Sequence, residues 1–354
     1  MLPNVPLTRA SPGPITALAP PHLTLGSTPL LPWAADTLDA VGAGACLKSL
    51  AINGTDSVYA VGEGGVVLKG VYGAAAANGA PTALRTVLNA GFPSYYYGVG
   101  VLGASVVVTG FVDGGGGSRG IARTSADGGA SWPANATAVL SPTVWAGGPV
   151  LAAGHRRLIV PSATDTAVFV ADGSSAAQLT WRTVQAGEGW HAGPFVARGA
   201  SVTIAGVELC RSADAGGSFK CGPSADAVFD GGVASTADGA TWLTGGGAIA
   251  PVLGGWAHRS RDGGASWSAN RTLAAPWPIR TVAFACADSV ALAAGGDFSS
   301  GVGGIYASAD GGATWVLEVD TGLEMAACAT GPGLVTCVGS AKGKQSLSIT
   351  ARCP

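Results

Sequence analysis

One eight-residue pattern limits what this chain can fold into more than any other feature. It occurs as Ser125-Ala126-Asp127-Gly128-Gly129-Ala130-Ser131-Trp132 and again at Ser212 to Phe219, Ser260 to Trp267 and Ser308 to Trp315. Each copy reads Ser-x-Asp-x-Gly-x-Ser/Thr-aromatic, and the starts lie 87, 48 and 48 residues apart. The wide first gap holds one unit whose motif has decayed, so the period is about 45 residues. A second repeat is an alternating apolar strand that usually ends in Gly. It appears at Val58 to Gly62, Val106 to Gly110, Val202 to Gly206, Thr241 to Gly245, Ala291 to Gly295 and Val335 to Gly339, with a degenerate copy at Leu158 to Pro161. That makes seven units. Side chains alternating along a strand face two neighbouring layers, and a recurrence of about 40 to 50 residues is that of one four-stranded propeller blade.

Composition agrees. With 57 Gly and 21 Pro among 354 residues, long helices are excluded, and only 34–41 and 73–77 offer short helical stretches. Hydrophobic residues at 47% supply a core, while charged residues are only 11%. A formal charge of −2, with no run of five like charges, argues against nucleic acid and against anionic membrane surfaces as partners. No 18-residue apolar stretch predicts a transmembrane segment, and the first residues lack the pattern of a signal peptide.

The octapeptide resembles the Asp-box, or bacterial neuraminidase repeat, and the chain from about 46 to 350 is similar to seven-bladed Asp-box propellers. The resemblance implies that each box turns the third strand of a blade into the fourth. Elementary chemistry fits that role: Ser and Asp side chains can accept bonds from turn N–H groups, Gly tolerates positive φ, and the aromatic can bury its ring between blades. Ser125, Asp127, Trp132, Ser212, Asp214, Phe219, Ser260, Asp262, Trp267, Ser308, Asp310 and Trp315 are therefore expected to be structural. Tyr59 to Leu68 and the box at Ser308 look like the strand pair and box of the photosystem II assembly and stability factor group, which implies a scaffold without a catalytic centre.

The predicted fold is all-β: a seven-bladed propeller over 23–354, preceded by a flexible segment at 1–22. The seventh unit ends at a third strand near Ser346 to Thr350, so the missing fourth must come from the N-terminal 23–33, zipping the ring shut. Seven cysteines sit at 46, 210, 221, 286, 328, 337 and 353. Cys210 and Cys221 flank one octapeptide symmetrically and Cys328 and Cys337 bracket Gly331-Pro332-Gly333, so two cross-strand disulfides are reasonable, with buried free thiols as the alternative. The triplets at Asn53, Asn135 and Asn270 match the N-glycosylation acceptor pattern. Disulfides and acceptor triplets suit a plastid lumen or secreted protein if a leader is missing, and a soluble intracellular protein otherwise.

Four widely spaced histidines give no metal motif, and no nucleophile elbow or phosphate-binding glycine loop occurs, so no metal or cofactor is expected. The channel mouth opposite the boxes is where the fold predicts a site. Its loops carry Phe92, Tyr95, Tyr96, Tyr97, Trp145, Trp190, His191, Phe229, Asp230, Trp277 and Arg280, rings and charges suited to a protein or peptide partner. The alternatives are a sialidase-like glycoside hydrolase or a glycan-binding lectin. Against hydrolysis, only five Glu exist and the mouth offers mainly Asp230 as a carboxylate, where glycosidases need two. A monomer is expected.

Overall fold

The structure, a computed structural model, describes residues 24–25, 31, 33–38, 46–53, 57–72, 84–91, 93–114, 117–142, 146, 151–152, 157–162, 167–173, 179–186, 195–198, 200–205, 208–223, 231–248, 254–268, 272–341 and 346–353. Its strands form seven antiparallel sheets in sequence order around a ring. Blade 1 comprises Leu47–Asn53, Ser57–Gly62, Val66–Val71 and Arg85–Asn89; blade 2 Ser94–Leu102, Ser105–Gly114, Gly117–Ser125 and Thr137–Ser141. Blade 3 has Leu151–Ala152, Arg157–Pro161, Ala167–Asp172 and Thr180–Gln185; blade 4 Phe195–Arg198, Ser201–Ala205, Glu208–Ser212 and Lys220–Pro223. Blade 5 has Val233–Ser235, Trp242–Ala248, Gly254–Ser260 and Leu273–Ala275; blade 6 Ile279–Ala285, Val290–Asp297, Val302–Ser308 and Val316–Asp320. Blade 7 takes Glu324–Gly331, Leu334–Ser340 and Ser346–Arg352 from the C-terminal end. The first strand of every blade touches the first strands of both neighbours, which closes the ring. The fold is a seven-bladed β-propeller.

Each repeat of the alternating apolar strand is the second strand of its blade. Sandwiched between two neighbouring blades, these strands bury both faces: every residue of Ser57–Gly62 and of Leu334–Ser340 is buried. Continuous burial explains why they are the most regular apolar segments in the chain.

The N-terminal segment closes the ring in two steps. Thr24–Leu25 adds a fifth strand to blade 6 beside Val316–Asp320, and Trp33–Leu38 then pairs with Ser346–Arg352 as the fourth strand of blade 7. The closing strand therefore lies later than the predicted 23–33, and 34–38 is strand where a helix was expected from 34 to 41. Local alanine content favours helix, but an open blade edge offers a six-residue ladder, and pairing overrides propensity. The candidate helix at 73–77 and the segment 1–22 lie outside the described residues. Between the two steps, Leu31 N–H and Trp33 Nε1 both donate to Oε2 of the buried Glu318 on blade 6, at 3.4 and 3.1 Å.

Each octapeptide turns a third strand into a fourth. In the first copy Ser125 Oγ donates to Asp127 Oδ1 at 2.7 Å and accepts from Gly129 N–H at 2.8 Å, and Asp127 Oδ1 accepts from Ser131 N–H at 2.8 Å. The other three repeat this network. Gly129, Gly216, Gly264 and Gly312 have φ from 79° to 86°, which a side chain at that position would oppose. The turns also tie each blade to the one before it. Lys69 Nζ donates to Gly128 O at 2.7 Å, Arg157 Nη1 to Asp214 O at 2.9 Å and Arg259 Nη1 to Asp310 O at 3.1 Å. Trp132 packs with Tyr59 of blade 1, Phe219 with Ile159 of blade 3, and Trp315 with Leu243 of blade 5.

Donors converging on the turn carboxylates lower their pKa. Hydrogen bonds from Ser212 and Ser218 hold Asp214 at about 2, and those from Ser266 and Ser260 hold Asp262 at about 2. Bonds from Ser131 and Ser125 hold Asp127 lower still, and at Asp310 the bonds from Thr314 and Ser308 outweigh the opposing effect of burial. Because the folded values lie below the ordinary carboxylate value, the contribution of the turns is complete above about pH 4 and is lost as pH falls toward 2. Asp310→Ala should cost about 1 kcal/mol, kept small by water at the open turn, and lower Tm by about 2 °C at pH 7. The gap from wild type should narrow when melting is repeated near pH 2; an equal gap at both pH values would show that the carboxylate does not hold the turn.

Candidate functional site

Because strands alternate in direction, the octapeptide turns gather at one end of the ring, while the fourth-to-first loops and second-to-third hairpins gather at the other. The innermost strands start at this second end. In blades 1, 2, 6 and 7 the pairing of first and second strands slips by one residue near that start, between Leu47 and Ser49, Tyr96 and Gly98, Ile279 and Thr281, and Met325 and Ala327. The extra residues are Lys48, Tyr97, Arg280 and Ala326. A bulge of this kind re-aims a side chain at a rim. Opposite each one stands the glycine that ends the recurring second strand: Gly62, Gly110, Gly295 and Gly339. A methyl group on them would run into the carbonyl oxygens of Cys46, Tyr95, Pro278 and Glu324, respectively. Glycine is therefore required where the backbone of the bulged strand comes close.

The bulged side chains build a rim from alternating charges and a stack of rings. Arg280 Nε donates to Glu324 Oε1 at 2.6 Å between blades 6 and 7, and Lys48 Nζ lies 3.3 Å from Glu63 Oε1 on blade 1. Burial works against the charge of Lys48, but Glu63, Cys46, Tyr97 and Glu324 together outweigh it and raise its pKa. Asp297, in the second-to-third hairpin of blade 6, is held below the usual range chiefly by the hydrogen bond from Ser300, with a smaller effect from the nearby Arg280. On blade 2, the slip between Tyr96 and Gly98 leaves Tyr95 and Tyr97 stacked on Phe111, with centroids 4.7 and 5.7 Å away. Burial raises the Tyr97 pKa, keeping the phenol neutral. The Cys46 thiol beside the rim is pushed up to about 11 by burial, so it stays protonated and inert at neutral pH.

Of the residues singled out in the sequence, Tyr95, Tyr97 and Arg280 meet on this rim. Tyr96 points inward, 1% exposed, among Val61, Val99 and Val108. Trp277 is also buried, 6.0 Å from the ring of Tyr306. Phe92, Trp145, Trp190, His191, Phe229 and Asp230 lie outside the described residues. Lys48, Glu63, Asp297 and Glu324 were missed, as was Phe111. A usable signal existed: aligned on the glycine-ended strands, Leu47-Lys48-Ser49, Tyr96-Tyr97-Gly98 and Ile279-Arg280-Thr281 share one frame of apolar, long, small. Among the described residues, no three of His, Cys, Asp and Glu cluster closely enough to hold a metal ion.

No protein-family model matches the chain, and no curated protein matches it in sequence. Solved structures are similar in fold. A structure of YCF48 bound to D1 peptide superposes with a TM-score of 0.62 at 15% identity, over 94% of this chain and 98% of that one. The WD40 repeats of RRP9 give 0.62 at 10% identity, over 94% and 100%. A GH74 xyloglucanase from Xanthomonas campestris gives 0.54 at 16% identity, over 81% of this chain but only 47% of that one. At such identities the likeness is one of fold.

Proposed function

We propose that this chain is a non-catalytic propeller scaffold that captures a protein or peptide at the mouth over blades 6, 7, 1 and 2. The observation that carries the reading is the repeated bulge, which delivers Lys48, Tyr97 and Arg280 to one rim beside the Tyr95–Phe111–Tyr97 stack. Rings with polar tips next to anchored charges are what a peptide-binding surface uses. The rim glutamates are each engaged by a cation, which suits recognition better than acid and nucleophile roles. The four turns are read as Asp-boxes, and the chain as one of the photosystem II assembly factor-like propellers. The peptide in the YCF48 structure supports a peptide as the ligand class. With Arg280 and Lys48 both paired, the rim is close to neutral among the described residues and favours a ligand held by rings more than by net charge.

The test is the double variant Tyr95→Ala/Tyr97→Ala, screened with wild type on peptide and glycan arrays and against fluorogenic sialosides. Wild type should bind peptides at least tenfold more tightly than the variant, with no turnover. Sialoside hydrolysis abolished by Glu324→Gln would overturn the scaffold reading, and a glycan signal lost in the double variant would replace it with a lectin.

A further inference from the structure

On the outside of the ring, at the end carrying the octapeptide turns, a cavity of about 430 Å³ opens between blades 2 and 3. Its walls include Pro133, Leu179 and Trp181, together with Asn135, Ala136 and Thr137. The last three are the whole of one Asn-x-Thr triplet. Asn135 sits on the 3-10 turn Ala134–Ala136 between an octapeptide and the fourth strand of blade 2, with Asn135 and Thr137 both exposed. The Asn53 triplet differs: its amide donates to Gly103 O at 3.5 Å from a half-buried strand position.

Six of the seven cysteines form disulfides: Cys210–Cys221, Cys328–Cys337 and Cys286–Cys353. The seventh, Cys46, is buried. Thiols used in this way suit an oxidising compartment, and where that compartment is the eukaryotic secretory route an exposed Asn-x-Thr meets the transferase that modifies it.

From this we infer that Asn135 is an N-glycosylation site and that its first sugar lies in the cavity against Trp181. The donor is a lipid diphosphate-linked oligosaccharide. Asn135 Nδ2 forms the new bond to the anomeric carbon as the bond from that carbon to the diphosphate oxygen breaks; the amide proton goes to a base of the transferase, and the lipid diphosphate leaves with the electron pair. The cavity falls in the size range of small-molecule sites, and Trp181, Pro133 and Leu179 in its lining supply apolar surface of the kind on which a pyranose stacks. Because the cavity and the mouth lie at opposite ends of the ring, the glycan would leave the binding rim open.

The experiment is peptide mapping of protein purified from its own source, before and after treatment with an amidase that releases N-glycans and converts the attachment Asn to Asp. The expected result is Asp at position 135 only after treatment; an unmodified Asn135 before treatment overturns the site. In a secretory eukaryotic host, Asn135→Gln and Thr137→Ala should remove the glycan and Thr137→Ser should retain it. The seat in the cavity has its own readout: Trp181→Ala should speed release from the folded glycoprotein by about fivefold or more, with no change for denatured protein. Equal rates for folded wild type and folded variant overturn the packing against Trp181.

Discussion

Deleting residues 1–38 should abolish cooperative thermal unfolding or lower Tm by more than about 10 °C. The deletion strips blade 7 of its fourth strand, blade 6 of its fifth, and Glu318 of the donors from Leu31 and Trp33. It also removes Leu31 and Leu38, only 1% and 2% exposed, whose burial is worth roughly 1.5–3 kcal/mol each. Set against a typical total of about 5–15 kcal/mol, that loss is a large share. Calorimetry would show it, and grafting 24–45 behind Pro354 through a short Gly-Ser turn should restore the transition, since the strand would then follow its partner as in other blades. A truncated protein melting with full-length Tm would refute closure by this strand.

The second large effect belongs to Cys286–Cys353. This bond joins the turn after the first strand of blade 6 to the residue following the third strand of blade 7, closing a separation of 67 residues. Chain-entropy arguments assign such a loop about 4 kcal/mol, against about 3 for the separations of 11 and 9 in the two hairpin disulfides. Replacing both Cys286 and Cys353 by Ser should therefore lower Tm more than replacing either hairpin pair, by roughly 5 °C. If a hairpin pair gave the larger drop in parallel melts, the assignment of the 67-residue loop as the main covalent lock would be wrong.

Where local chemistry decided the outcome, the sequence could be read. Turns such as Ser308 to Trp315 hold themselves with their own hydroxyls and carboxylate, and strands such as Ser57–Gly62 carry their double-sided burial as an unbroken apolar run. Both hairpin disulfides join residues directly opposite in a ladder, so they too were legible from spacing. What escaped depends on partners far along the chain. Trp33–Leu38 becomes a strand only because Ser346–Arg352 waits for it, and Cys286 meets Cys353 only once blades 6 and 7 have packed together. The rim shows the same divide: Tyr97 and Arg280 announced themselves by residue type, whereas Lys48 matters because it is bulged out beside Glu63. A further turn, from Thr236 to Trp242, uses Thr236 Oγ1 to Asp238 Oδ1 at 2.6 Å in the same manner as the octapeptides. It is one residue shorter and joins first to second strand, so the alignment on the eight-residue pattern passed over it.

The N-terminal strap has a consequence for how the protein is made. Trp33 to Leu38 are among the earliest described residues to leave the ribosome, yet their hydrogen-bonding partners, Ser346 to Arg352, come last. At about 5–20 residues per second, roughly a quarter of a minute to a minute separates the two events. Throughout that interval six blades can assemble behind an unpaired edge, and the strand that will cover it must stay soluble and untangled. Translation pauses near the 3′ end of the message, or a holdase that masks the early segment, would thus govern the yield of closed rings without touching the stability of the finished one.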